Sequence, residues 1–126
     1  MIKVKATKKE IDISGSSKDL LSLKDDITQF IISKDNETII KAESGFNPSP
    51  YPFALEQIIL RKGNGKNRFE IDGCALYITG SPLCLQNIVD NLPLEGDKGT
   101  HVHYDHLILE DYVDDISPDV IITLRI

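Results

Sequence analysis

The chain opens in alternation. Residues 10–14, EIDIS, and 75–79, ALYIT, alternate apolar and polar positions with the period of a strand buried on one face. In FEIDGCALYI (69–78), Asp72-Gly73 falls between two such runs and predicts a tight hairpin. Each alternating run then gives way to helical spacing. Leu20, Leu23, Ile27 and Ile31 form one stripe, and Leu85, Ile88, Val89 and Leu92 form another. Gly15 and Gly80 let the chain turn, and Ser16 and Ser81 stand at N-cap positions. Asp19 follows the first cap by three residues, and Pro82 takes the first helical position after the second. Pro93 closes the second helix. Two more extended runs follow each helix: ETIIKA and LEQIILR, then THVHYDH with its continuation and DVIITLRI.

The two halves share this plan in register. A shift of 65 residues lays residues 3–27 over residues 68–92 without a gap, matching Ile13 with Ile78, Gly15 with Gly80, Ser16 with Ser81, Leu20 with Leu85 and Asp25 with Asp90. The pattern predicts a single domain, 1–126, made of two ββαββ units, 1–63 and 66–126. KGNGK (62–66) serves as a flexible joint. The expected fold is α+β, a mostly antiparallel sheet with both helices on one face; the pattern leaves open whether the two halves share one sheet.

Composition narrows the function. At 126 residues, 40% hydrophobic and 27% charged, the chain can bury a core and is not disordered. A net charge of −6 repels phosphate backbones, and the absence of Trp removes a stacking platform. Nucleic acid is therefore not an expected partner. No apolar run approaches the roughly 18 residues of a membrane span, and no signal-peptide core is visible. Cys74 and Cys84 lie outside any C-x-x-C spacing, as expected for reduced thiols in the cytoplasm.

All three histidines fall in THVHYDH (100–106), which spells H-x-H-x-D-H, a zinc-ligand pattern of metallo-β-lactamase-type hydrolases. His101, His103 and Asp105 would share one strand face and are the candidate metal ligands. That hydrolase arrangement needs a further His and Asp far downstream, however, and the 20 residues that remain hold no histidine. The expectation is instead an exposed sheet face, with Val102, Tyr104 and His106 turned inward. Cys84 adjoins the second apolar stripe, four residues before Ile88, and reads as a structural thiol. No G-x-x-x-x-G-K-[ST] loop is present. No catalytic set emerges, and neither enzymatic activity nor a cofactor is expected.

Charge is unevenly divided: residues 1–65 carry a net +1 and residues 66–126 a net −7. Acid is densest in LEDYVDDISPD (109–119), where Glu110, Asp111, Asp114, Asp115 and Asp119 surround Tyr112. The expectation is a docking surface for a basic protein, with Tyr112 as anchor and Asp111, Asp114 and Asp115 steering the encounter. GFNPSPYPF (45–53) offers Phe46, Tyr51 and Phe53 as a second contact patch, and His101 and His103 complete the candidate partner-binding set.

Residues 75–126 combine a strand ending in Gly-Ser, a leucine-spaced helix, an H-x-H strand and a Ser-containing turn before a last apolar strand. In these features the C-terminal half resembles the immunity protein 32 family of bacterial polymorphic toxin systems. The resemblance implies an acidic, non-catalytic, cytoplasmic protein that neutralises a toxin domain by binding it. Two alternatives remain from the residues themselves. One is a structural or regulatory module that self-associates through an exposed sheet edge or face; the other is a small metal-dependent enzyme using the His-x-His strand.

Overall fold

The computed structural model describes residues 1–125. Its elements are β1 (Lys3–Ala6), β2 (Glu10–Gly15), α1 (Ser17–Ile32), β3 (Glu37–Lys41), β4 (Phe53–Leu55), β5 (Gln57–Lys62), β6 (Arg68–Asp72), β7 (Ala75–Gly80), α2 (Pro82–Asp90), β8 (His101–His103) and β9 (Asp119–Leu124).

Both helices begin as the sequence predicts. Ser16 accepts the Asp19 amide while the Asp19 carboxylate accepts the Ser16 amide, which closes a capping box on α1. Ser81 accepts the Cys84 amide, and Pro82 opens α2 with a φ already suited to a helix. α1 buries Leu20, Leu23, Ile27 and Phe30, so Phe30 takes the place expected of Ile31. α2 buries Cys84, Leu85, Ile88 and Val89 and ends at Asp90, before Pro93 is reached. In the β6–β7 hairpin Asp72 pairs with Ala75, which makes Gly73 and Cys74 the two turn residues. Gly73 has φ +61°, the left-handed conformation that a glycine adopts without strain at the first position of such a turn.

The fold is α+β, and its strands fall in two mixed sheets, a division the pattern left open. One has the order β4-β1-β2-β9-β8, the other β3-β5-β7-β6. The cause is parallel pairing across the chain. β2 lies parallel to β9 and β5 parallel to β7, so each sheet takes strands from both halves of the sequence. The short strand β4 comes from the segment expected to be a loop and adds to β1.

The helices pack on each other, α1 also against β2 and β3 and α2 against β7. One contiguous core joins both sheets and both helices, and Tyr104, Phe69, Leu20, Leu60 and Leu76 are among its large buried side chains. Each such burial is worth about 1.5–3 kcal/mol before entropy is counted. The segment 62–66 is tied down at the β7–α2 corner rather than left as a free joint. Gly63 donates to the Gly80 carbonyl and Ser81 to the Gly65 carbonyl, both at 2.9 Å.

Candidate functional site

The expected strand through THVHYDH is cut short at His103. Tyr104 is fully buried, its amide on the Val120 carbonyl at 2.7 Å, and the chain then coils. Asp105 caps the first turn: its Oδ1 accepts the Ile108 amide at 3.1 Å and its carbonyl the Leu109 amide at 2.9 Å. Leu109 in turn accepts the amides of Tyr112 and Val113, and Asp114 Oδ1 accepts that of Ile116 at 2.9 Å. This use of a side-chain acceptor to close a turn is the usual role of aspartate in loops.

One side of segment 105–118 is fastened along β6. Asn67 donates to the Tyr112 carbonyl and accepts from the Asp114 amide, Ser117 Oγ accepts the Phe69 amide, and Arg68 meets Asp114 at 3.2 Å. The bond from the Ile116 amide, joined by Arg68, holds the Asp114 carboxyl below the usual carboxylate range. Inward, Val113 is buried, and Leu109 and Tyr112 pack against the core.

Outward, the same segment presents Leu107, Ile108 and Ile116, which are 88%, 63% and 65% exposed. Glu110, Asp111 and Asp115 are exposed beside them. Three aliphatic side chains are thus left in water within ten residues of one loop, held there by the loop's own bonds. The sequence reading missed them because THVHYDH and its continuation read as one extended strand. The signal against that reading was Asp105, a turn-forming residue at the point where the strand breaks.

The expected site residues therefore fall in two places. Asp111, Tyr112, Asp114 and Asp115 lie on segment 105–118, with Asp111 and Asp115 exposed and Tyr112 half-buried. Phe46, Tyr51, His101 and His103 belong to the outer face of the five-stranded sheet. There the ladder sets Lys5, Asp12, Ile121 and His103 on one rung and Lys3, Ser14, Thr123 and His101 on the next. Residues 44–52 fold back towards this face at β1, so that Lys3 lies 5.4 Å from the Phe46 ring and Lys5 lies 5.1 Å from the Tyr51 ring. Tyr51 donates to Glu10 at 3.0 Å; its burial and that bond push the phenol up to about 12.

His101 and His103 are exposed, their rings edge-on at 5.2 Å. Asp105 does not join them, because its carboxylate is turned to the Ile108 amide. Among the described residues no group of three or more His, Cys, Asp or Glu side chains is placed to hold a metal ion.

Two polar clusters escaped the sequence reading. Asp12 Oδ1 and Ser14 Oγ are buried on the outer face of β2 without a hydrogen-bond partner. Burial pushes the Asp12 carboxyl up, partly offset by Lys5 and Arg125. Within the core, Asn67 donates to the Cys84 carbonyl at 2.7 Å and to the Tyr104 hydroxyl at 3.0 Å, and that hydroxyl donates to Asn87 at 2.7 Å. This network ties α2 to the start of segment 105–118, and it leaves the Asn67 side-chain oxygen buried without a hydrogen-bond partner. A cleft of about 630 Å3 also opens between the β1–β2 and β6–β7 turns, with walls of Phe53, Phe69, Ile71 and Pro118 beside the exposed Lys8 and Glu70.

The chain matches no family model, no curated protein and no solved structure. No helix among the described residues is long and apolar enough to cross a membrane.

Proposed function

We propose that this chain is a non-enzymatic protein-binding domain whose docking surface is segment 105–118, and that its partner is a basic protein. The carrying observation is the pairing of exposed Leu107, Ile108 and Ile116 with Glu110, Asp111 and Asp115 on a loop already fixed by its own bonds. Apolar side chains give such an interface its affinity when desolvated, and the surrounding carboxylates raise the encounter rate with a cationic surface. A preorganised loop avoids the ordering cost that a flexible one would incur on binding. The aliphatic residues take the anchoring role first expected of Tyr112, and the carboxylates keep the steering role.

The proposal extends to the toxin-neutralising function that the resemblance of residues 75–126 implies: a cytoplasmic immunity protein covering the active surface of a basic toxin domain. It also includes the two-unit plan. Each rung of β2 on β9, such as Glu10 with Asp119, maps onto a rung of β7 on β5, such as Ala75 with Gln57, by constant shifts of 65 and 62 residues. That regularity supports two related ββαββ units that exchange their last hairpins, with β4 as an addition to the first.

The test is co-expression with the toxin domain encoded beside its gene. The expected result is cell survival and a one-to-one complex, both lost in Leu107→Glu/Ile108→Glu while that variant stays folded. A complex of undiminished affinity with the double variant would place the docking surface elsewhere. Toxicity unrelieved by the unaltered chain would remove the immunity function itself.

A further inference from the structure

We propose that two copies of this chain associate through the free edge of β3, which pairs antiparallel with β3 of the partner subunit to make one eight-stranded sheet. The inference stands apart from the docking of a basic partner, because it concerns the opposite edge of the four-stranded sheet.

β3 is the outermost strand of that sheet, bonded only to β5. The two ends of the pairing fix the direction of its bonds. Lys62 donates to the Asn36 carbonyl at 3.0 Å, and Ala42 donates to the Glu56 carbonyl at 2.9 Å. Residues 36 and 42 thus face β5, and in an antiparallel ladder bonded pairs recur at every second residue. Thr38 and Ile40 therefore also bond to β5, while Glu37, Ile39 and Lys41 point their N–H and C=O groups away from the sheet. Among the described residues, no backbone bond from another element reaches those outward groups.

Open space flanks this edge. A groove of about 530 Å3 runs between β3 and α1, lined by Thr38, Ile39, Ile40 and Lys41 on one side and by Asp26, Gln29, Phe30 and Ser33 on the other. Side chains from both faces of the strand line the same groove, which places it along the strand's edge.

The sequence of β3, ETIIK, is complementary to itself when reversed. With two copies centred on Ile39, Ile39 meets Ile39 of the partner subunit, and Glu37 meets Lys41 of the partner subunit on both sides. All three outward-bonding residues then fall on hydrogen-bonded rungs, where each pair exchanges two bonds. Glu37, Ile39 and Lys41 are exposed, and Ile39, 57% exposed, would be covered by its own symmetry mate. Opposite charges set directly across a rung add to the pairing, and a twofold axis requires this kind of self-complementarity.

The other edges serve this purpose less well. β4 and β8 offer three residues each, and β6 already bonds to segment 112–117. Two strands of this length bury little area, so the dimer is a weak, reversible one. In it the two 105–118 segments lie beside the far edges of the joined sheet, each free to take a partner.

The test is sedimentation velocity on the full chain from about 1 µM to about 1 mM, the range that brackets a weak dimer. A reversible monomer–dimer equilibrium is expected. Glu37→Lys and Lys41→Glu each place like charges across two symmetric rungs and should weaken dimerisation about tenfold. Combining them restores opposite charges and should recover the dimer to within about threefold of the original. Ile39→Pro removes one outward N–H without touching a bond to β5 and should abolish the dimer. If that variant fails to fold, the charge exchange still decides. A monomer throughout the range, or a dimer indifferent to the charge exchange, overturns the proposal.

Discussion

The side-chain oxygen of Asn67 occupies the space that a Cβ on Gly80 would need. Gly80 ends β7 just before the Ser81 cap, and Asn67, wholly buried, reaches from there to the Cys84 carbonyl and the Tyr104 hydroxyl. Burial pushes the Tyr104 phenol upward, so it stays neutral and donates to Asn87. The glycine is thus a matter of room as well as of turning.

Gly80→Ala should cost about 1–3 kcal/mol by overpacking. Asn67→Ala should cost a similar amount, about 1–3 kcal/mol, by removing its buried bonds to the Cys84 carbonyl and the Tyr104 hydroxyl. The pair should cost less than the sum by about 1 kcal/mol or more, since removing the amide frees the space that the added methyl group needs. Urea midpoints of the four proteins measure this coupling. Strict additivity would mean that crowding is not what keeps residue 80 a glycine.

Asp12 predicts a pH dependence of opposite sign to the usual carboxylate. Its folded-state pKa is raised by burial, so the folded chain binds this proton more tightly than the unfolded chain. Its contribution is therefore most favourable below the unfolded value near 3.8 and is lost as pH rises through the folded value. Asp12→Asn should be the more stable protein at neutral pH, with the gap closing as pH falls through the carboxylate range. Paired urea titrations at several pH values show it. A less stable variant at neutral pH would mean that attraction to Lys5 and Arg125 outweighs the cost of burial.

Local features were the legible ones. The Ser16 and Ser81 caps, the first turns they close and most of the helix stripes are decided by residues within a few positions of one another. The sequence reading placed them, except that Phe30 stands where Ile31 was expected and Leu92 lies beyond the end of α2. Strand partnership was not legible. Alternation in EIDIS and DVIITL shows that each has a buried face, but no local residue says that β2 and β9 run parallel. The acidic segment was found by charge alone. Its exposed aliphatics were hidden because THVHYDH and its continuation read as one strand, and β4 by a proline-rich stretch that reads as a loop.

Asp105 also bears on metal binding. With its carboxylate committed to the Ile108 amide, His101 and His103 are left as a two-ligand set, which grips zinc weakly beside a closed four-ligand site. Added zinc at about 100 µM should therefore raise the melting temperature by less than about 2 °C, the shift being set by ligand concentration over Kd. Differential scanning fluorimetry on untagged protein measures it. A larger rise that His103→Ala abolishes would establish a metal site on β8.

Under the proposed function, segment 105–118 has an inward side that holds the fold and an outward side that meets a partner, and substitutions should divide along that line. The Tyr112 side chain packs against the core, so Tyr112→Ala should lower stability by about 1–3 kcal/mol. Leu107, 88% exposed, touches little, and Leu107→Ser should leave stability within about 0.5 kcal/mol. On binding the order reverses: Leu107→Ser should weaken the complex at least tenfold, the loss expected of a buried anchor worth about 1.4 kcal/mol or more, chiefly through faster dissociation. Asp111→Asn and Asp115→Asn should instead slow association and flatten its dependence on salt, because exposed carboxylates act over roughly a Debye length, about 8 Å at physiological ionic strength. Surface plasmon resonance at several salt concentrations, run beside urea titrations, resolves the two effects. If Tyr112→Ala abolished binding at undiminished stability and Leu107→Ser did nothing, the anchor would be the tyrosine after all.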